Sequence, residues 1–443
     1  MMRKILFFMF LLSYVGRPTV LQAQQSSTNE LIKTMQSRVR RYPEDYAGYA
    51  GLGAAYLQKG RETGDAADFE LAKGALEESI DLLSNDPAAA FAMTQMAVVC
   101  MAEHRFDGAL VWAQKALALG SGDPSPWAIA GDALADMGDY VGAAEAYSKL
   151  DSLFGSEDEK LAFSYQRDTR KSFLRFVAGD TQGAIDLMRS AIQKAIQMHM
   201  PAENIAWSQY QLGEELFQIG EMAAAEKAYL AALEGYPGYY RGLAGLAKVR
   251  AAQGQYKDAV DLFKKAIAAV PYPEYATALG DVYQKIGDTQ EAKKQYQLVE
   301  FIGHLSQINQ QIHNRDLALF YADHDLKLNE SLELARKELE VRHDIYTWDV
   351  LAWSFYKSGK FQEAADAISH ALAQGTKDAQ SLFHAGMIYE KTGDSAKAKS
   401  YLSQALATNP HFNILYSEVA AERLAALTQK DVIVSQQEAA GVR

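Results

Sequence analysis

The chain has 443 residues, of which 49% are hydrophobic and 23% charged, and its formal net charge is −12. This composition supports a large folded core and excludes global disorder, while the acidic balance argues against general nucleic-acid binding, which needs a cationic surface. A single cysteine excludes an internal disulfide framework and cysteine-rich zinc or iron–sulfur sites.

In chain order, the first segment reads as an address. Met1-Met2-Arg3-Lys4 is a short basic start, Ile5 to Val15 is an apolar run, and Leu21-Gln22-Ala23-Gln24 closes the stretch. That is the layout of a secretory signal peptide over residues 1–23, with cleavage after Ala23. As a helix the apolar run is about 17 Å long, too short for a hydrocarbon core of about 30 Å. No later stretch reads as a membrane span, so the mature chain is expected to be exported, periplasmic first and secreted otherwise. Residues 24–45 then hold one N-terminal helix, with Leu31, Met35 and Val39 along one face.

From residue 46 the sequence repeats. Gly220, Gly254 and Gly287 are spaced by 34 and 33 residues, Gly359 and Gly393 by 34, and Gly138, Gly179 and Gly220 by 41. Similar residues return around them. One copy has Trp127, Gly131, Leu134, Gly138, Tyr140, Ala143 and Tyr147; another has Leu212-Gly213, Leu216, Gly220, Ala225, Tyr229, Ala232 and Pro237. A third has Leu279-Gly280, Tyr283, Gly287, Ala292 and Tyr296; a fourth has Leu382, Gly386, Tyr389, Gly393, Ala398, Leu402, Ala405 and Pro410. The spacing divides the chain into copies 1–3 over residues 46–156, copies 4–7 over 157–308 and copies 8–10 over 309–410. Residues 411–430 follow as a capping helix, and 431–443 as a flexible tail. Copies 1, 2, 4 and 8 are degenerate, and the eighth has no glycine between its helices.

This pattern resembles the tetratricopeptide repeat, W-x2-L-G-x2-Y…A-x3-F…P at about 34 residues. The resemblance implies an all-α, right-handed α-solenoid of about ten helix pairs with a C-terminal capping helix. The residue choices have physical reasons. Small residues such as Gly213, Gly280, Gly386 and Ala225 suit a close crossing of the paired helices. The glycines between them suit the left-handed residue that ends a helix. One copy cannot bury its own apolar face but a stack can, with contacts running between neighbours, so a cut within the stack should leave the remaining repeats partly folded.

Chemistry is sparse. Cys100 stands where other copies place Tyr56 or Tyr283, and reads as a small buried hydrophobe. No phosphate loop, zinc-protease motif or nucleophile elbow occurs, so no enzyme activity and no cofactor are expected. Histidines gather late in the chain. His313, His324 and His343, with Asp316, Asp323 and Asp344, form a weak metal candidate that lacks the i, i+4 pair of recognisable sites, and polar caps explain such residues as well. Arg167, Arg170, Lys171 and Arg175 give the fourth copy a basic face, suited to an anionic segment or to pairing with acids such as Asp168.

In proteins of this family, peptides lie against the first helices, which line the concave face. The residues projected there are Trp207, Tyr210, Glu214 and Phe217 in copy 5, Arg241 and Lys248 in copy 6, and Asp281 in copy 7. Copy 8 offers Asp316 and Phe320, copy 9 Asp349, Trp353 and Tyr356, and copy 10 Phe383. Aromatics that packing does not need are the usual interface anchors; the alternative is that Phe320, Trp353 and Phe383 tighten the superhelix. Arg241 and Lys248 lack the asparagines of the family's carboxylate clamp. The expectation is a non-enzymatic scaffold of the cell envelope that binds a protein or peptide partner, with no nucleic acid and no integral span after signal cleavage. The alternative is a metal- or small-ligand-binding accessory using copies 8–9. The sequence leaves the oligomeric state open.

Overall fold

A computed structural model of the protein describes residues 22–83, 86–120, 122–151, 156–308 and 314–439. Residues 1–21 of the expected signal peptide, His313 and the last four residues lie outside these, while Gln22 and Ala23 open the first helix. Among the described residues there are twenty-two α-helices and no strand. A lone helix, α1 (Gln22–Arg41), leads into ten antiparallel pairs. Repeats 1–3 are α2 (Tyr46–Thr63) with α3 (Ala66–Leu83), α4 (Ala90–Ala102) with α5 (Phe106–Ala118), and α6 (Ser125–Asp136) with α7 (Tyr140–Ser148). Repeats 4–7 are α8 (Glu157–Val177) with α9 (Thr181–Gln197), α10 (Ala202–Gln218) with α11 (Met222–Gly235), α12 (Tyr240–Ala252) with α13 (Tyr256–Ala269), and α14 (Pro273–Lys285) with α15 (Thr289–Ile308). Repeats 8–10 are α16 (Asn314–Asp323) with α17 (Leu328–Leu339), α18 (Ile345–Lys357) with α19 (Phe361–Ala371), and α20 (Ala379–Thr392) with α21 (Ser395–Thr408). The final helix, α22, runs from Ser417 to Ala439, beyond the Lys430 expected as its end.

In repeats 1, 3, 5, 7 and 10 the pair is held at a crossing that only glycine permits, and other pairs use a small residue such as Ala247 or Ala352 there. A Cβ on Gly213 would lie 2.5 Å from the Tyr229 ring, one on Gly280 2.4 Å from Tyr296, and one on Gly386 2.6 Å from Leu402. The turns between paired helices use left-handed residues, from Gly138 (φ +81°) to Gly393 (φ +89°). Repeat 8, which lacks the glycine, places Asp325 and Lys327 there.

First and second helices bury very different amounts. Ten of thirteen residues of α18 are buried, against four of eleven in α19. A second helix packs one stripe and shows water its other face. A first helix is covered on both sides, by its partner and by whatever fills the inside of the coil.

The filling includes the coil itself, which corrects the expectation of neighbour-only contacts. The turn of repeat 1 meets the end of repeat 6: a Cβ on Gly64 would lie 2.7 Å from Val270. Gly138 of repeat 3 similarly meets the carbonyl of His343 (2.5 Å), Gly179 of repeat 4 that of Gly375 (2.3 Å), and Gly220 of repeat 5 that of Thr408 (2.8 Å). Each turn therefore abuts the connection five to six repeats further on. Polar bonds join the same places. His343 N–H donates to the Asp136 carbonyl (3.1 Å), Ile345 N–H to the Tyr140 hydroxyl (3.0 Å), and Arg342 Nε faces Asp136 at 3.3 Å. Burial pushes the Asp136 carboxyl up to about 7 against the pull of Arg342.

Candidate functional site

The inner face is built from the first helices of successive repeats, and a recurring three-residue bracket explains many of its charges. An acid stands six residues before the inter-helix glycine, a tyrosine of the second helix donates to it, and a base from the next first helix completes the set. In repeats 3 and 4, Asp132 accepts from Tyr147 Oη (2.8 Å) and from Arg170 through Nε (2.9 Å) and a terminal nitrogen (2.7 Å). In repeats 5 and 6, Glu214 accepts from Tyr229 Oη and from Lys248 Nζ (2.7 Å). In repeats 7 and 8, Asp281 accepts from Tyr296 Oη (3.0 Å) and meets His324 Nε2 (2.8 Å). The other His324 nitrogen, Nδ1, faces the Phe320 carbonyl at 2.7 Å. Both nitrogens thus face acceptors, which suits the doubly protonated ring. Burial pulls its pKa down, but the bond to Asp281 and the nearby carboxylates leave it raised on balance.

The basic face expected on repeat 4 is therefore not free. Arg170 is buried in the bracket with Asp132. Arg167 pairs with Asp151 (3.0 Å) and Asp168 (2.7 Å), Lys171 with Asp151 (2.6 Å), and Arg175 with Asp180 (3.4 Å). Every cation of the set is matched locally, which corrects the picture of a patch awaiting an anion.

The described residues of the metal candidate do not come together either. His324 spends both nitrogens as described, and His343 is exposed at the end of the link to α18. Among the described residues no group of three or more His, Cys, Asp or Glu converges on a point. Cys100 is wholly buried, and burial raises its thiol to about 11.

The expected groove residues divide into three groups, with Asp316 apart from them. Trp207, Tyr210 and Glu214 are buried within repeat 5, with Tyr210 against Tyr229 and Tyr239. Phe320, Asp349, Trp353, Tyr356 and Phe383 belong to a packed aromatic stack. Trp353 is 1% exposed, stacks on Tyr356 (4.7 Å) and His384 (4.2 Å), and donates from Nε1 to Asp323 (2.8 Å). His384 Nδ1 in turn meets Asp349 at 3.0 Å. Phe320 and Phe383 are 2% and 0% exposed. These rings tighten the coil and are not free anchors on an open wall. Asp316 is half-buried on α16.

The third group, Lys248 and Asp281, lines a cavity of about 380 Å³ on the concave side of repeats 5–7, within the size range of ligand pockets. Its walls are mostly apolar, including Ala244, Ala251, Tyr256, Ala278 and Val282, with Glu274 and Lys285 among its charges. The far wall is a segment that sequence reasoning missed. Residues 409–416, read as the end of copy 10 and the start of the cap, lie along the inner face, and Asn409, Phe412 and Ile414 close the cavity. The available signal was the alternation Phe412, Ile414, Tyr416 after Pro410, a two-residue period foreign to a helix.

Comparisons with known proteins agree with this architecture. Tetratricopeptide repeat family models match residues 210–273, 350–416 and 273–299, and a tetratricopeptide repeat-like domain model matches residues 18–161. The matches together cover more than half of the chain, which belongs to the tetratricopeptide repeat superfamily. No curated protein matches it in sequence. Among solved structures, a human IFIT1 dimer with m7Gppp-AAAA is similar at 16% identity and a TM-score of 0.48, over 79% of this chain and 77% of that one. A tetratricopeptide repeat protein from Parabacteroides merdae matches at 17% identity and 0.35, over 60% and 99%. Yeast Tom70 matches at 11% identity and 0.34, over 88% and 98%. No helix among the described residues is long and apolar enough to cross a membrane. The superfamily assignment makes the chain a protein-interaction scaffold in general terms.

Proposed function

We propose that the protein is a non-enzymatic scaffold of the cell envelope, exported by its N-terminal segment, and that it holds a partner protein at the concave face of repeats 5–7. The observation that carries this reading is the cavity of about 380 Å³ walled by α10, α12, α13 and α14 on one side and by residues 409–414, the start of α20 and α22 on the other. Here Ala251 and Ala278 remain partly open, small residues facing a space that apolar side chains of a partner would fill. Lys248 and Asp281 at its wall are already bracketed, so they set polarity and leave apolar contact as the main source of affinity.

The test uses photocrosslinking residues placed singly at Ala278, in the cavity, and at Lys397, on the outer surface. In the native host, a discrete adduct is expected from position 278 and none from 397. Ala278→Trp, which fills the space, is expected to abolish partner binding while melting like the parent. Equal adducts from both positions would refute the groove reading. Export is checked separately by N-terminal sequencing of the native protein, which should begin at or near Gln24; a chain beginning at Met1 would contradict it.

A further inference from the structure

Between α21 and α22 the chain runs back along the inner face as a strap. The wholly buried Asn409 donates its side-chain amide to the Phe217 carbonyl at the end of α10 (2.7 Å). Phe412 lies against Phe383 with ring centroids 5.3 Å apart, and Ile414 packs into the core of repeats 4–7. Tyr416 stacks on Phe383 (5.3 Å), meets Trp353 edge-on (5.8 Å), and gives its hydroxyl proton to the Asp323 carbonyl. The strap thus touches repeats 5, 8, 9 and 10 through alternate side chains, and its own shape is set by Asn413, whose side chain accepts from Leu415 N–H (2.8 Å).

These anchors differ from the ground they rest on. Trp353 and Phe383 are fully buried, whereas Phe412, Ile414 and Tyr416 each keep part of their surface in water. Beyond the strap, α22 is held independently by Ala420 and Leu427 in the core of repeats 8–10. The strap can therefore lift while both its ends stay attached, and lifting it opens the cavity wall formed by Phe412 and Ile414.

We infer that the strap is an internal ligand, and that the partner is an extended peptide segment presenting the same chemistry: an asparagine followed by apolar side chains at alternate positions. This deepens the groove reading above and rests on it. A tethered occupant acts at an effective concentration of the order of millimolar, so an external segment with equal contacts binds weakly until the strap is displaced. The strap is then a specificity filter, since only a segment that outcompetes it gains the site.

The probe is a labelled synthetic peptide with the sequence of residues 409–418, titrated into the full chain. Ile414→Asp in the protein removes the anchor packed into repeats 4–7 and should lift the strap. The peptide is expected to bind this variant at least tenfold tighter than the parent, and a peptide carrying the same Ile-to-Asp change should bind neither. Asn409→Ala, which removes the bond to the Phe217 carbonyl and the one accepted from His411 N–H but no apolar contact, should fall between parent and Ile414→Asp; this order must hold among the variants that melt as folded proteins. Equal binding to parent and folded variants would overturn the strap as competitor and leave the groove reading standing. Binding to none of the folded proteins would overturn both.

Discussion

The turns of repeats 3–5 and those of repeats 6, 7, 9 and 10 share one local solution, a left-handed glycine between paired helices, yet stand in opposite surroundings. Gly138, Gly179 and Gly220 each face a backbone carbonyl from the later half of the chain, whereas at Gly254, Gly287, Gly359 and Gly393 a Cβ would meet nothing within 4 Å. The same residue thus answers two demands: in the later repeats only a backbone angle, in the earlier ones that angle and the close approach of a second turn of the coil. A repeat motif records the first demand and is silent about the second.

The contrast breaks most sharply at the ion pairs. Arg342 is 5% exposed, lies between Asp136 of repeat 3 and Glu338, and its guanidinium stands 4.6 Å from the centre of the Phe106 ring. Arg342→Ala is expected to destabilise by about 3–5 kcal/mol, as removing one partner of a buried pair does. Arg175→Ala, at the half-exposed pair with Asp180, should cost less than about 0.5 kcal/mol. Chemical denaturation of both variants checks the difference.

Glycine replacements sharpen it next. Gly254→Ala should cost about 1–2 kcal/mol for the left-handed backbone alone. Gly179→Ala adds a collision with the Gly375 carbonyl and should exceed it by about 1–3 kcal/mol. Gly213→Leu and Gly280→Leu act within a helix pair, which both halves share, so each should cost about 1–3 kcal/mol with no difference between halves. Thermal melts that ranked Gly254→Ala with Gly179→Ala would remove the second turn from the account.

The smallest effect is in pH. The folded-state pKa of Asp136, about 7, lies above its ordinary value of 3.8, so the native state keeps a proton that the unfolded chain has already lost. Stability should therefore fall as pH rises from about 4 to about 7. His324 acts in the same direction at higher pH: its raised pKa gives stability that is full below about 6.5 and lost as pH rises through the folded value. Asp136→Asn should flatten the lower part of the pH–stability curve and His324→Gln the upper part.

Much of the architecture is legible in the sequence because it is local. The 34-residue period, the Gly213–Tyr229 type of crossing and the turn glycines are short-range demands, written within each copy. The inner face is less legible. Glu214, Lys248 and Asp281 read as groove charges because a first helix projects them inward, and Arg170 as part of a basic face, but their partners come from a neighbouring repeat, 34 to 43 residues away. Tyrosine fifteen residues after the acid, in Tyr147, Tyr229 and Tyr296, was the visible trace of that bracket. The cross-turn pairs have no trace at all: Asp136 and Arg342 are joined by the rise of the whole coil, a sum of small rotations that no single copy encodes.

The central claim is that the two turns of the coil are held as one body, and Cys100 reports on it directly. Its thiol is wholly buried in repeat 2, with a pKa raised to about 11, so it reacts with a thiol reagent only when that repeat opens. The measurement is the labelling rate of Cys100 under native conditions in the parent and in Arg342→Ala, a change between repeats 8 and 9. Locked turns predict a rate at least tenfold higher in the variant. An unchanged rate, with Arg342→Ala still destabilised in its own repeats, would mean that the solenoid is a linear stack after all.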